Sequence, residues 1–231
     1  MIFLEKLVIR GKRRLEGEID IQGAKNSLLP ILAATVLVEG VSVIHNCPCL
    51  SDVDAAIRIL EYLGCKVRRE KDTLYVDSGN ITCYNIPQNL MREMRSSIIF
   101  LGSLLGRMKK AGMSFPGGCE IGLRPIDLHL SSLESLGVTI DKRSADICCE
   151  VKDKITPAVI SLSFPSVGAT ENIILACALS EGRTTVLNAA REPEIADLAA
   201  FLNKCGCNIT IDSKGTVKLT ASVSFTAVST A

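Results

Sequence analysis

Apolar residues recur at three- and four-residue spacing in two separate stretches: Leu29, Leu32, Ala33 and Val36, then Ile173, Leu175, Ala176 and Leu179. That period predicts an amphipathic helix in each. Both stretches run into Glu-Gly, at 39–40 and 181–182, where a glycine suits a helix C-cap. A short strand pattern follows, Val41 to Ile44 and Thr184 to Leu187. A second helix then opens near Ser51-Asp52 or Pro193-Glu194, with acidic residues in the first turn, where the helix dipole favours them. Each second helix closes at a glycine and leads into strand patterns, "KVRRE" and "TLYVDS" in one case, "NITIDS" and "TVKLTA" in the other.

The pattern is a repeat. Residues 37–67 match 179–209 at one offset of 142, which sets Glu39-Gly40 on Glu181-Gly182, Asn46 on Asn188, Leu60 on Leu202 and Gly64-Cys65 on Gly206-Cys207. A fainter copy, "LHLSSLESLGVTI" (128–140), lies between them. The helix-closing glycines Gly64, Gly137 and Gly206 are 73 and 69 residues apart. That is too long for a solenoid unit and suits three small αβ modules. Helices rich in Ala, Ser and Gly on several faces predict close packing inside, with sheets outside. The expected fold class is α/β, a pseudo-threefold repeat in which helix starts from different copies share one end.

Composition narrows the partners. Of 231 residues 47% are apolar, but only 4% are aromatic and Trp is absent, so the core must be Leu, Ile, Val and Ala. Basic and acidic residues number 26 and 25, which argues against nucleic acid as the main partner and leaves room for a local anion pocket. The longest apolar run, "LLPILAATVLV" (28–38), is too short to cross a bilayer and contains Pro30. Glu5 and Lys6 interrupt any signal pattern. Neither membrane nor export is expected, and ten cysteines suit a reduced, cytoplasmic setting. The close pairs Cys47/Cys49, Cys148/Cys149 and Cys205/Cys207, with only His45 and His129 beside them, lack zinc-site spacing. No metal or cofactor is expected, and most cysteines read as small core fillers.

Cys119 stands apart, in "SFPGGCEIGLRP" (114–125), behind two glycines and five residues before Arg124. Glycines let a backbone approach a ligand, and a guanidinium holds an anion beside a thiol. The other nine cysteines read as lying in helix or strand patterns. Lys25 and Asn26 open the first helix, either as a cation at an anion-accepting terminus or as a solvated lysine with a capping asparagine. Arg95 opens "RSSIIFLGSLLG", Arg92 lies one helical turn before it, and the two are interchangeable on charge alone. Pro125 suits a first helical position and Asp127 the dipole, with Ile126, Leu130 and Leu133 as a buried stripe. "PSVGAT" (165–170) offers backbone N–H groups ahead of a helix beginning near Ala169.

Five segments, "GAKNSLLPILAA" (23–34), "MRSSIIFLG" (94–102), "FPGGCEIGLRPIDLH" (115–129), "PSVGATENIILA" (165–176) and "NAAREPEI" (188–195), occur in an order and spacing that resemble one family. It is the UDP-N-acetylglucosamine 1-carboxyvinyltransferase family of enolpyruvyl transferases, and the similarity runs from about residue 4 to 220. The resemblance implies an inside-out α/β barrel, one lobe of two. It implies transfer of the enolpyruvyl group of phosphoenolpyruvate to the 3-hydroxyl of UDP-N-acetylglucosamine, in peptidoglycan synthesis. Cys119 would be the proton donor, and Lys25, Asn26 and Arg95 would meet the reacting pair. Arg124, Pro125, Ile126, Asp127 and Leu128 would line the nucleotide-sugar site, with Arg124 also facing the phosphate. Ser166, Val167 and Gly168 would cradle the diphosphate, although some members carry a lysine where this chain has Phe164. His129 stays open between a buffer near the loop and a packed residue.

Family members are longer and carry a second, similar lobe. The resemblance therefore implies strands in 1–22 that pack on that lobe, a nucleotide-sugar lobe over 23–222 and a tail over 223–231. The chain is expected to be truncated and inactive alone, with a split transferase or a non-catalytic nucleotide-sugar-binding module as alternatives.

Overall fold

The computed structural model describes residues 8–114, 126–141, 146–221, 225 and 229–230. The first module runs α1 (Lys25–Thr35), β1 (Val41–Ile44), α2 (Ser51–Leu63), β2 (Lys66–Glu70) and β3 (Thr73–Asp77). The second begins with β4 (Asn85–Ile86), α3 (Gln88–Glu93) and a 3₁₀ helix over Arg95–Ile99 that continues as α4 (Phe100–Met108). It is completed by β5 (Lys110–Ser114), α5 (Asp127–Ser135), β6 (Thr139–Asp141) and β7 (Asp146–Glu150). The third holds β8 (Val159–Ser161), α6 (Val167–Cys177), β9 (Arg183–Leu187), α7 (Pro193–Cys205), β10 (Asn208–Ile211) and β11 (Val217–Thr220). A last short strand, β12 (Ser229–Thr230), follows.

Three four-stranded sheets have one topology: β12-β1-β3-β2, β4-β5-β7-β6 and β8-β9-β11-β10. In each, the first-named strand is parallel to the second and the others are antiparallel. The expected threefold repeat is thus present, and it closes on itself: the strand completing the first sheet comes from the far end of the chain. β7, β8 and β11 alternate buried and exposed residues, as strands of a half-covered sheet do. α6 is buried at every position from Ala169 to Cys177, so this helix is interior.

Small residues allow the helices to approach. A Cβ on Gly102 would stand 2.5 Å from the Asn172 carbonyl oxygen, and one on Gly106 would stand 2.9 Å from the Leu175 carbonyl and 3.0 Å from Leu37 Cδ2. These pairings advance together along both chains, so α4 and α6 run in the same direction, and the segment after α1 meets α4 at the same level. The starts of α1, the 3₁₀ helix and α6 accordingly lie toward one end of the molecule.

Two boundaries differ from the sequence reading. α1 ends at Thr35 and α6 at Cys177, each ahead of its Glu-Gly. Gly40 and Gly182 serve instead in the turn into the strand, with φ 142° and 97°. The second helices begin and end as expected, at Ser51 and Pro193 and at the left-handed Gly64 and Gly206. At Gly64, φ is 107° and a Cβ would lie 2.7 Å from the Asn80 carbonyl oxygen. Gly64→Ala should therefore cost about 2 kcal/mol, read as a lower urea midpoint at unchanged m-value.

Candidate functional site

Lys25 is the first residue of α1, and its N-cap is Ala24, with no side-chain cap. The capping alternative for Asn26 is thereby excluded; Asn26 is an exposed residue in the first turn. Lys25 Nζ pairs with Asp52 at 2.8 Å, with 43% of the lysine side chain exposed. Such an exposed pair contributes at most about 1 kcal/mol, so an arriving anion can draw the lysine away. Two residues on, Ser27 donates to Asp197 of α7 at 2.5 Å, tying this helix start to the third module.

Arg95 opens the 3₁₀ helix and is half-buried, whereas Arg92 lies in the last turn of α3 and is exposed. Met94, in extended conformation, breaks the helix between them. The structure thus separates two arginines that charge pattern left equivalent. No described residue forms an ion pair with Arg95.

Ser166 is the N-cap of α6, and its hydroxyl accepts from the Ala169 amide at 3.3 Å. The helix begins at Val167, close to the expected start. Phe164, at the position where some family members carry a lysine, is 55% exposed. α5 begins at Asp127, with Ile126 as its N-cap, so Asp127 does lie in the first turn. Leu130 and Leu133 are buried, and Ile126 and Leu128 pack against the core edge. The starts of α5 and α6 are neighbours: His129 Nδ1 lies 2.8 Å from Asn172 Nδ2, and a Cβ on Gly168 would stand 2.7 Å from the His129 ring. Of the two readings of His129, the packed one holds. Cys119, Arg124 and Pro125 lie outside the described residues.

The remaining thiols sort by burial. Cys47, Cys65, Cys149, Cys177, Cys205 and Cys207 are buried, as core fillers should be. Burial pushes Cys177 and Cys205 up to about 12, so both stay protonated and inert. Cys49 and Cys148 are exposed. Cys47, Cys49, Cys65, Cys83 and Cys207 sit outside helices and strands, which corrects the expectation that all nine lie within them. No group of three metal-ligating side chains occurs among the described residues, and no described helix is long and apolar enough to cross a membrane.

Glu171 is a buried ionisable group that the sequence reading passed over. It lies in the second turn of α6, 5% exposed, and burial followed by the neighbouring Glu194 carboxylate raises its pKa to about 8. The signal was a Glu-Asn pair opening an otherwise apolar helix. Two surface hollows, of about 500 Å³ beside Tyr62, Pro87 and Cys148 and about 350 Å³ beside Arg191 and Asp212, do not include Lys25, Arg95 or Ser166–Gly168.

The family model for EPSP synthase (3-phosphoshikimate 1-carboxyvinyltransferase) matches residues 9–225. The chain belongs to the EPSP synthase family. Within it, the chain is 56% identical over 205 residues to UDP-N-acetylglucosamine 1-carboxyvinyltransferase 2 of Caldanaerobacter subterraneus subsp. tengcongensis, covering 89% of this chain and 49% of that protein. It is 48% identical over 210 residues to UDP-N-acetylglucosamine 1-carboxyvinyltransferase 1 of Symbiobacterium thermophilum, with 89% and 48% covered. The chain spans about half the length of these curated relatives.

Among solved structures, the enolpyruvyl transferase NikO from Streptomyces tendae superposes with a TM-score of 0.83 at 21% identity, over 95% of this chain and 52% of that one. EPSP synthase from Acinetobacter baumannii gives 0.72 at 14% identity, over 92% and 48%. These likenesses establish the enolpyruvyl transferase fold, the inside-out α/β arrangement that the repeat implied.

Proposed function

We propose that this chain is the nucleotide-sugar lobe of an enolpyruvyl transferase that acts on phosphoenolpyruvate and UDP-N-acetylglucosamine. The observation that carries this reading is the identity of 43–56% to four proteins all named UDP-N-acetylglucosamine 1-carboxyvinyltransferase. The 14% identity to EPSP synthase makes a shikimate substrate the weaker reading.

The chemistry adds the sugar 3-hydroxyl to C2 of phosphoenolpyruvate while a proton reaches C3. A base takes the hydroxyl proton as the C–O bond forms; loss of a proton from C3 and of phosphate from C2 then leaves the enol ether, the first committed product of peptidoglycan synthesis. Anionic substrates need fixed positive charge and oriented N–H groups where charge develops. Lys25, Arg95 and Arg124 supply the cations, with Asn26 beside them. Ser166, Val167 and Gly168, with Pro125, Ile126, Asp127 and Leu128, hold the UDP portion. Cys119 delivers the proton to C3. The hydroxyl base and the rest of the phosphate clamp belong to a second lobe, in this reading either the remainder of the same enzyme or a separately encoded half.

Residues 8–24 support that division. Their described residues form no helix or strand, unlike the strands expected over 1–22, and Val8, Ile9, Leu15, Ile19 and Ile21 are 68–93% exposed. This apolar arm is what a second lobe would cover.

Cys119 is the residue to test. With UDP-N-acetylglucosamine present, an epoxide phosphonate mimic of phosphoenolpyruvate should modify Cys119 at least about tenfold faster than the exposed Cys49 and Cys148, because in this reading Cys119, unlike them, belongs with the phosphate-binding cations. Peptide mass spectrometry reads the outcome. Equal modification of Cys49 or Cys148 would remove Cys119 from the mechanism.

A further inference from the structure

Asn172, fully buried on α6, has every polar atom committed. Its Oδ1 accepts from the Gly102 amide at 2.6 Å, and its Nδ2 donates to the Ile98 carbonyl at 3.1 Å. The second Nδ2 proton points to His129 Nδ1 at 2.8 Å. That network assigns the tautomer: Nδ1 accepts, so the ring proton sits on Nε2. A cationic ring would present a second donor to Asn172, and burial, which lowers the His129 pKa to about 4, keeps the ring neutral. One turn earlier on α6, the same ring lies against Gly168, where a Cβ would stand 2.7 Å from Cε1 and 3.2 Å from Nε2. A side chain at 168 would therefore displace the histidine ring.

We infer that His129 is a positioning residue: through Gly168 and Asn172 it clamps the first turn of α6 to the first turn of α5, fixing the gap between the Ser166–Gly168 amides and Asp127–Leu128. His129 touches neither substrate in this arrangement and acts through the two helix starts. The inference rests on the reading that this end of the lobe holds the nucleotide diphosphate. Loss of the ring acceptor leaves a buried Asn172 N–H unpaired, and a bulkier residue 168 pushes the helix start away from the ring.

The test uses the 231-residue chain with UDP-N-acetylglucosamine as the calorimetric probe. His129→Leu, which keeps bulk and removes the acceptor, should weaken binding about tenfold. His129→Asn returns an acceptor near the Nδ1 position and should restore affinity to within about threefold. Gly168→Ala should weaken binding in the native background and cost much less beside His129→Ala, a coupling that independent sites lack. The histidine ¹⁵N spectrum should show Nε2 protonated and Nδ1 bare from pH 5 to 8. A protonated Nδ1, additive substitutions, or unchanged affinity in His129→Leu overturns the inference. Should the native chain bind no nucleotide sugar, the functional reading falls by itself. Amide exchange at Ala169 and Thr170 then decides the clamp: acceleration in His129→Leu but not in His129→Asn sustains it, and equal exchange refutes it.

Discussion

Glu171→Gln is expected to raise the melting temperature at pH 8.5 and to leave it nearly unchanged at pH 5. The native carboxyl is held up at about 8, first by burial and then by Glu194, against an ordinary value of 4.5. Between those values the folded protein keeps a proton that the unfolded chain has released. Stability therefore falls as pH rises through this window and stays low above it, the reverse of the usual paired carboxylate. Glutamine has the same shape and no charge to lose, so it escapes the penalty. A tenfold change in proton affinity is worth about 1.4 kcal/mol, and the gain at pH 8.5 should be on the order of 5 kcal/mol, or roughly 10–20 °C for a chain of this size. Differential scanning calorimetry at the two pH values reads it directly. Coincident melting curves for native and variant protein at pH 8.5 would mean that the carboxylate ionises in place without cost.

What the sequence disclosed and what it hid follow from the range of the forces involved. α2 and α7 were legible to within about a residue because their limits are local: acidic or proline-led first turns and left-handed glycines at the ends. α1 and α6 were drawn too long because a glycine with positive φ serves equally as a cap or as a turn, and only the next strand's docking decides between them. β4, β8 and β12 passed unnoticed. They have two or three residues each, too few for alternation to show, and they become strands only by pairing with β5, β9 and β1. At the site, the expectation of a common end for the helix starts followed from the repeat, because equivalent helices begin at equivalent places. The contact between His129 and Asn172 and the burial of Glu171 did not. A polar residue on an apolar helix reads as exposed until a partner from another module is seen, and His129 and Asn172 are 43 residues apart.

The 231-residue chain by itself is expected to bind UDP-N-acetylglucosamine weakly and to release no phosphate from it and phosphoenolpyruvate. Binding should survive because the groups proposed for the nucleotide, Ser166–Gly168 and Pro125–Leu128 with Arg124, all belong to this lobe. Turnover demands more. A base must take the hydroxyl proton, further cations must hold the phosphate as it departs, and water must be kept from the reacting pair. Removal of one such positioned group commonly costs about 10²-fold or more in rate. In the proposed division those groups belong to the second lobe, so this lobe alone would lack several at once, and a cation in solvent acts far more weakly than one in a closed cleft. The apolar arm at 8–24 adds a physical consequence: without a covering lobe, its exposed isoleucines should drive concentration-dependent association, visible by light scattering and suppressed by Ile19→Lys with Ile21→Lys. Calorimetry with the nucleotide sugar and a coupled phosphate assay test the two halves of the expectation separately. Phosphate release by the purified chain that disappears in Cys119→Ala would show the lobe to be a complete catalyst and overturn the division of labour proposed here.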